Sequence, residues 1–291
     1  MNRFRISMNV RNTLEGYSFV SLWIIGFFLF MAYPLGLSLF YSFNNMTIST
    51  DGLVATYHGW THYRNAFVQD RVFVPHLINT VTQMIFQVPL ILIFAMFSAL
   101  LLNRKMVGRG LFRAIFFLPV IIAAGAVLQK LMNLGATELP IFARFDLANI
   151  LLNYVPASIL IPLLQMLDSI TLVMWDSGVQ IIIFLAGLQS ISTSLYEAAD
   201  CDGATGWEKF WKITFPMMIP MFLVNTLYSI VNSFTKADNH VLNYISGIFF
   251  GQNAFGKASA LGWIYFVVIF IIIGIVFLLF RKGVEASDER R

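Results

Sequence analysis

The chain has 291 residues, of which 58% are hydrophobic and only 12% charged, with 29 phenylalanines and a mean hydropathy of +0.75. That composition excludes a water-soluble domain and identifies an integral membrane protein. The formal charge of +4 comes from short basic clusters beside apolar runs, a pattern of topology signals and not of a phosphate-binding face, so no nucleic-acid partner is expected.

A spanning helix needs about 20 predominantly apolar residues. The first such window, 17–43, follows Arg3, Arg5 and Arg11. It is too long for a secretory signal and ends at no small-residue cleavage site, so it reads as a retained span after an N-terminal segment 1–16. Further windows lie at 75–102, 112–132, 168–189, 217–235 and 261–280. Together they predict an all-α, polytopic six-helix domain over 17–282, with a tail at 283–291. A seventh apolar stretch, 150–166, is interrupted by Asn153, Pro156 and Pro162 and reads as an interfacial or external helix.

Six spans place both termini on one side of the membrane. Of the 19 Lys and Arg, Arg64, Arg71, Lys130, Arg144, Lys236 and Lys257 then fall on the far side. All the others, including Arg104, Lys105, Arg109, Arg113, Lys209, Lys212, Arg281 and Lys282, share the side of the termini. The positive-inside rule makes that side cytoplasmic, and with it the loop 190–216.

Polar side chains inside spans are costly and face a cavity or another helix. Asn79, Gln83 and Gln87 recur every four residues in the second span. Trp175, Asp176 and Gln180 stand together on the outer half of the fourth, and Asn225, Tyr228, Ser229 and Asn232 share one face of the fifth. These groups either line a passage for a neutral polyol, which needs many hydrogen bonds and no net charge, or bond the helices to one another. Asp176 has the further option of pairing with a cation from another span or subunit.

Between the fourth and fifth windows runs "EAADCDGATGWEKFWKITFP", residues 197–216, with charges at Glu197, Asp200, Asp202, Glu208, Lys209 and Lys212. Burying six charges in hydrocarbon would cost about 15 to 20 kcal/mol, so the segment is a loop outside the bilayer. Ser194 with Glu197 and Thr205 with Glu208 each match a capping box, and Gly203 lies between them, where a chain leaving a helix often turns left-handed. The spacing predicts helix, glycine turn, helix. Trp207, Phe210, Trp211 and Thr214 form an aromatic face on the second helix, while Ala198 and Ala199 let another backbone approach the first. This face either tucks under the chain's own span ends or enters a groove on a cytoplasmic partner.

Little else suggests chemistry. Cys201 is the only cysteine, which excludes an intrachain disulfide and argues against a cysteine-based metal site. His58, His62, His76 and His240 fall in predicted external segments, with His58 and His62 read as a solvent-facing pair lacking a carboxylate partner. "GQNAFGKAS", 251–259, nearly matches a phosphate-binding loop, but Ala258 stands where a hydroxyl is needed and no strand is expected before it. Neither catalytic residues nor a cofactor or metal is expected in this chain.

The loop also carries a longer pattern, E-A-A-x2-D-G-A-x5-F-x2-I-x2-P, filled at every position by Glu197, Ala198, Ala199, Asp202, Gly203, Ala204, Phe210, Ile213 and Pro216. It resembles the EAA signature of permease subunits in binding-protein-dependent ABC importers. "GWTHYRNAF", "LFRAIFFLP", "FLAGLQSISTSLYEAA" and "FGKASA" extend the resemblance over most of the chain, toward the maltose-type and glycerol-phosphate-type carbohydrate permeases. Ser192 departs from a proline frequent in that family and leaves the signature intact.

The resemblance implies a permease in a bacterial cell membrane that takes a sugar from an extracytoplasmic binding protein. It implies docking of 197–216 on one of two ATP-binding subunits, which carry the ATP and Mg. It also implies a second permease half, expected to be non-identical because "RKGVEASDERR" does not resemble the glycine-rich tail of one permease type. A secondary active transporter is the competing reading, with Asp176 as the one acidic residue clearly within a predicted span.

Overall fold

The computed structural model describes residues 8–49, 52–104, 110 and 173–288. The predicted span 112–132, the stretch 150–166, "LFRAIFFLP" and the start of the fourth window lie outside the described residues. Chain contacts divide the molecule into two units, Met1–Val74 with Tyr244–Phe266, and Pro75–Asn243 with Val267–Arg291.

In the first unit, α1 (Met8–Phe27) passes through a π-turn (Phe28–Ala32) into α2 (Tyr33–Ser42). The apolar length Gly16–Ser42 is long enough to cross a bilayer, and Phe19, Leu22 and Phe30 are each at least 80% exposed along it. Side chains so apolar on an uncovered surface suit lipid. An antiparallel hairpin follows, β1 (Asn44–Ser49) with β2 (Gly52–Tyr57), in register from Asn44 opposite Tyr57 to Ser49 opposite Gly52. It is an addition to the all-α expectation, and the β-branched Thr47, Ile48, Val54 and Thr56 on either side of a short polar stretch were its sequence signal. After it comes α3 (Thr61–Val68).

Asp70 then opens α4 (Phe73–Asn103). Its Oδ1 accepts from the amides of Val72 and Phe73 at 3.1 and 3.0 Å, Tyr244 donates its hydroxyl at 2.8 Å, and Lys257 pairs with Oδ2 at 2.8 Å. Burial alone would raise this carboxyl, but Lys257, the Phe73 amide, Tyr244 and the Val72 amide outweigh it and hold it at about 2. Lys257, in the near-match to a phosphate loop, is thus engaged by a carboxylate. A π-turn (Gly247–Gly251) precedes it in place of the strand that a phosphate loop requires.

In the second unit, α5 (Gly178–Ser190) leads into α6 (Thr193–Cys201) across a bend of 62°. Beyond it, α7 (Gly206–Lys209), a π-turn (Phe210–Thr214) and α8 (Phe215–Thr235) form one helix of 30 residues. The second loop helix, predicted as a separate element, is therefore continuous with the helix of the fifth predicted window. After α9 (His240–Ser246), α10 (Phe255–Asp288) extends well past the predicted 261–280 at both ends.

Two of the π-turns share a cause. The Tyr33 amide bonds to the Phe28 carbonyl and the Phe215 amide to that of Phe210, each spanning five residues, and each turn ends two residues before a proline, Pro34 or Pro216. Proline cannot donate to the carbonyl four residues back and crowds it, and a wider turn relieves that conflict without ending the helix.

Side-chain packing joins α5 to α8. Phe184, Met218 and Ile230 are buried between them, and a Cβ at Gly187 would lie 2.5 Å from Met221 Cγ and 3.0 Å from the Met218 sulfur, so a side chain there would force α8 residues to shift. Inside the contact, the Gln180 amide donates to Ser229 Oγ at 2.9 Å and the Asn225 amide to the Gln180 carbonyl at 3.3 Å.

Two outcomes follow for the first unit. A Cβ at Gly256 would overlap the Asn44 carbonyl oxygen and come within 2.9 Å of His62 Nε2. Gly256→Ala should therefore destabilise the protein by about 1 to 3 kcal/mol, whereas Gly262→Ala, in open space, should not; thermal melts of the purified protein separate the two. Because the folded Asp70 carboxyl is depressed from 3.8 to about 2, its contribution is complete above its unfolded value and disappears as pH falls from about 4 toward 2. Asp70→Asn should flatten the melting temperature across that window.

Candidate coupling loop and solute cleft

Ser192 caps α6: it has extended backbone, and its Oγ accepts the Ser194 amide at 3.3 Å. This corrects the expected box of Ser194 with Glu197, since the helix begins one residue before Ser194. Asp202 ends the helix and Gly203 turns left-handed at φ +72°. The Ala204 amide bonds to the Ala199 carbonyl at 2.9 Å and the Gly203 amide to that of Asp200 at 3.0 Å, the paired bonds of a Schellman turn. The D-G-A of the signature thus satisfies the carbonyls left open at the helix end.

Thr205 and Glu208 form the full capping box at the next start: the Glu208 amide donates to Thr205 Oγ1 at 3.3 Å, and Glu208 Oε2 accepts the Thr205 amide at 2.9 Å. The Thr205 amide, its hydroxyl and Lys212 all lower the Glu208 carboxyl below the usual glutamate value. Lys209 pairs with Asp200 at 2.5 Å and the hydroxyls of Tyr196 and Thr214 meet at 2.8 Å, tying α6 to the helix that follows.

These ties divide the signature. Glu197, Ala198, Asp202 and Gly203 are exposed, whereas Ala199, Ala204, Phe210, Ile213 and Pro216 are half-buried. Of the predicted aromatic face, Trp207 and Trp211 remain 71% and 46% exposed, and Thr214 is buried. Rings continue inward from them, with Trp211 5.1 Å from Phe215, Phe215 5.5 Å from Phe222, and Phe222 4.7 Å from the buried Phe184. The loop therefore tucks one side under its own spans and leaves the other open. Cys201 is exposed at the end of α6.

The predicted polar residues fall into different settings. Gln83 and Gln87 line a cleft of about 390 Å³ with Phe86, Lys236, Asp238 and His240. Asn79 is exposed one turn before Gln83, outside the lining. Gln180 and Asn225 are buried in the α5–α8 contact with Ser229. Tyr228 is 39% exposed and Asn232 is half-buried. The Trp175 indole nitrogen is buried without a partner among the described residues.

Asp176 finds its cation within this chain, in Lys236 at the end of α8, with 11% and 20% of the two side chains exposed. Sequence alone offered no means of choosing that partner, because the pair is 60 residues apart. Among the external histidines, His58 and His62 stand 4.9 Å apart, but His62 is half-buried with Nε2 unpartnered among the described residues, so only His58 faces solvent. Burial, His58 and Lys257 lower the His62 pKa against the Asn44 backbone hydrogen bond that raises it.

Residues 71–288 match the family described as "Binding-protein-dependent transport system inner membrane component". The probable ABC transporter permease protein YesP of Bacillus subtilis (strain 168) is 32% identical over 288 residues, covering 92% of this chain and 90% of that protein. The arabinooligosaccharides transport system permease protein AraP of Halalkalibacterium halodurans is 28% identical, covering 88% of this chain and 84% of that one. A solved structure of a bacterial ABC transporter involved in the import of the acidic polysaccharide alginate has a chain similar at a TM-score of 0.61 and 20% identity, covering 94% of this chain and 97% of that chain. That likeness shows a shared fold.

Removing the cap should loosen the loop without altering the spans. Thr205→Ala should cost about 1 kcal/mol of local stability and speed amide exchange over 206–209, read by hydrogen exchange, with α5 and α8 unchanged. Because the folded Glu208 carboxyl is depressed, the protection of the same amides, corrected for the intrinsic slowing of exchange in acid, should fall in the parent protein as pH drops through that carboxyl's lowered range.

Proposed function

The chain belongs to the family of binding-protein-dependent transport system inner membrane components, and from that premise we propose that it is one permease half of an ATP-driven sugar importer. It carries solute across the membrane and performs no chemistry of its own. ATP and Mg are bound and turned over on two separate ATP-binding subunits, a binding protein delivers solute from outside, and a second, non-identical permease completes the passage. The chain crosses the bacterial inner membrane several times, with both termini and the loop 197–216 in the cytoplasm.

One observation carries this reading: on the open side of the loop, Trp207 and Trp211 sit on a helix that runs without a break from Gly206 to Thr235, with Glu197 exposed on the preceding α6. Exposed tryptophans outside the apolar spans suit a hydrophobic groove on a partner, where such anchors carry most of the binding energy. A partner that grips them holds the end of a spanning helix. The carbohydrate assignment draws support from the arabinooligosaccharide relative and from the amides and aromatic ring of the cleft. A secondary transporter would need a carboxylate free to bind coupling ions, and Asp176 is ion-paired with Lys236.

Expressed with the neighbouring genes of its operon, the tagged chain should retain an ATP-binding subunit and a second permease through purification. Trp207→Ala with Trp211→Ala should weaken retention of the ATPase by about tenfold or more. Glu197→Lys should leave insertion intact while separating ATP hydrolysis from sugar uptake in proteoliposomes. Uptake that persists without any ATP-binding subunit would sink the proposal.

A further inference from the structure

The geometry points to a cleft that admits an uncharged sugar and turns away a uronate, with the Asp176–Lys236 ion pair setting the preference; this rests on the sugar-importer reading above. The cleft lies wholly within the second unit. Gln83 and Gln87 stand one turn apart on α4 and both line the cleft, with no side-chain hydrogen bond to another described residue. Phe86, 69% exposed, lies on the same wall. Amides beside an uncovered ring match a sugar, whose hydroxyls need donors and acceptors and whose ring face is apolar.

Charge decides which sugar. Lys236 is the only lysine or arginine among the described lining residues, and its ammonium is already taken by Asp176. Asp238 adds an exposed carboxylate to the same lining. The described lining thus holds one lysine, paired with Asp176, beside the carboxylate of Asp238. A hydroxyl can donate to Asp238, whereas a uronate carboxylate meets like charge and, among the described lining residues, no uncommitted lysine or arginine. The ion pair acts by exclusion: it withholds the ammonium that, among the described lining residues, would reward an acidic ligand.

The full chain in nanodiscs can be tested by saturation-transfer NMR with arabinotriose, xylotriose and maltotriose as neutral probes and trigalacturonate as the acidic one. At least one neutral trisaccharide should bind about tenfold more tightly than trigalacturonate, a ratio corresponding to about 1.4 kcal/mol. Asp176→Asn should release Lys236 and shift that ratio toward trigalacturonate, while Lys236→Gln should shift it further away. A folding defect would weaken both probes together, so opposite movements of the ratio identify the charge effect. Equal binding of acid and neutral sugar by the parent chain, or a ratio that neither substitution moves, would overturn the inference. Failure of every neutral probe, with the ATPase still retained on purification, overturns the sugar preference and leaves the importer standing; loss of that retention as well removes both.

Discussion

The hydrogen bond from Gln180 to Ser229, with Asn225 bonded to the Gln180 carbonyl, is the point on which the second unit turns. In an apolar interior an amide without partners is costly, so the bonds made by Gln180 and by the Asn225 Nδ2 favour one register and rotation of α5 against α8, although Asn225 Oδ1 is buried with no partner among the described residues. Gly187 then allows the backbone close to Met218, and Phe184 fills the space beside it. Everything in the loop hangs from these two helices: α6 leaves the end of α5, and Gly206 begins the helix that becomes α8. Had the register slipped by one residue, Tyr196 and Thr214 would not meet, nor would Asp200 and Lys209.

Pro216 has a second consequence. It stands in mid-helix, where proline usually breaks the chain, yet the helix continues because the π-turn before it absorbs the missing donor. Pro34 repeats the arrangement in the first unit, whereas Pro89 and Pro220 sit inside their α-helices with no π-turn immediately before them, so the wider turn is one of two ways these helices accommodate proline. It also explains why Phe210, Trp211 and Phe215 cluster on neighbouring faces: a wider turn changes the angle between successive side chains, and a strict spacing of three and four no longer describes them.

Local signals were legible in the sequence. The left-handed Gly203 and the Thr205–Glu208 box depend on residues three or four apart, and the long apolar windows depend on composition alone. Choices among neighbours were less so. Ser192 and Ser194 are both good caps, and the backbone selected the first because the chain leaves α5 in an extended conformation at Ile191 and Ser192. The merging of loop helix and span was hidden by Pro216, which reads as a boundary unless the π-turn is anticipated. The amide stripes were visible as stripes, but whether an amide faces a helix or a cleft depends on rotation about the helix axis, and no pattern within a single helix records its neighbour. Asp176 and Lys236 show the same limit in its strongest form: each is a charge beside apolar sequence, and only the fold makes them partners.

The unbroken helix from Gly206 to Thr235 is, in mechanical terms, a lever with its handle outside the apolar spans. Thirty residues at 1.5 Å each make an arm of about 45 Å, so a rotation of about 5° at one end moves the other by about 4 Å. The ring contacts from Trp211 through Phe215 and Phe222 to Phe184 stiffen the handle against the adjoining helix. A hinged loop would dissipate such a displacement; under the proposed docking of the loop, a continuous rod would carry it to Lys236 at the far end, on the edge of the cleft.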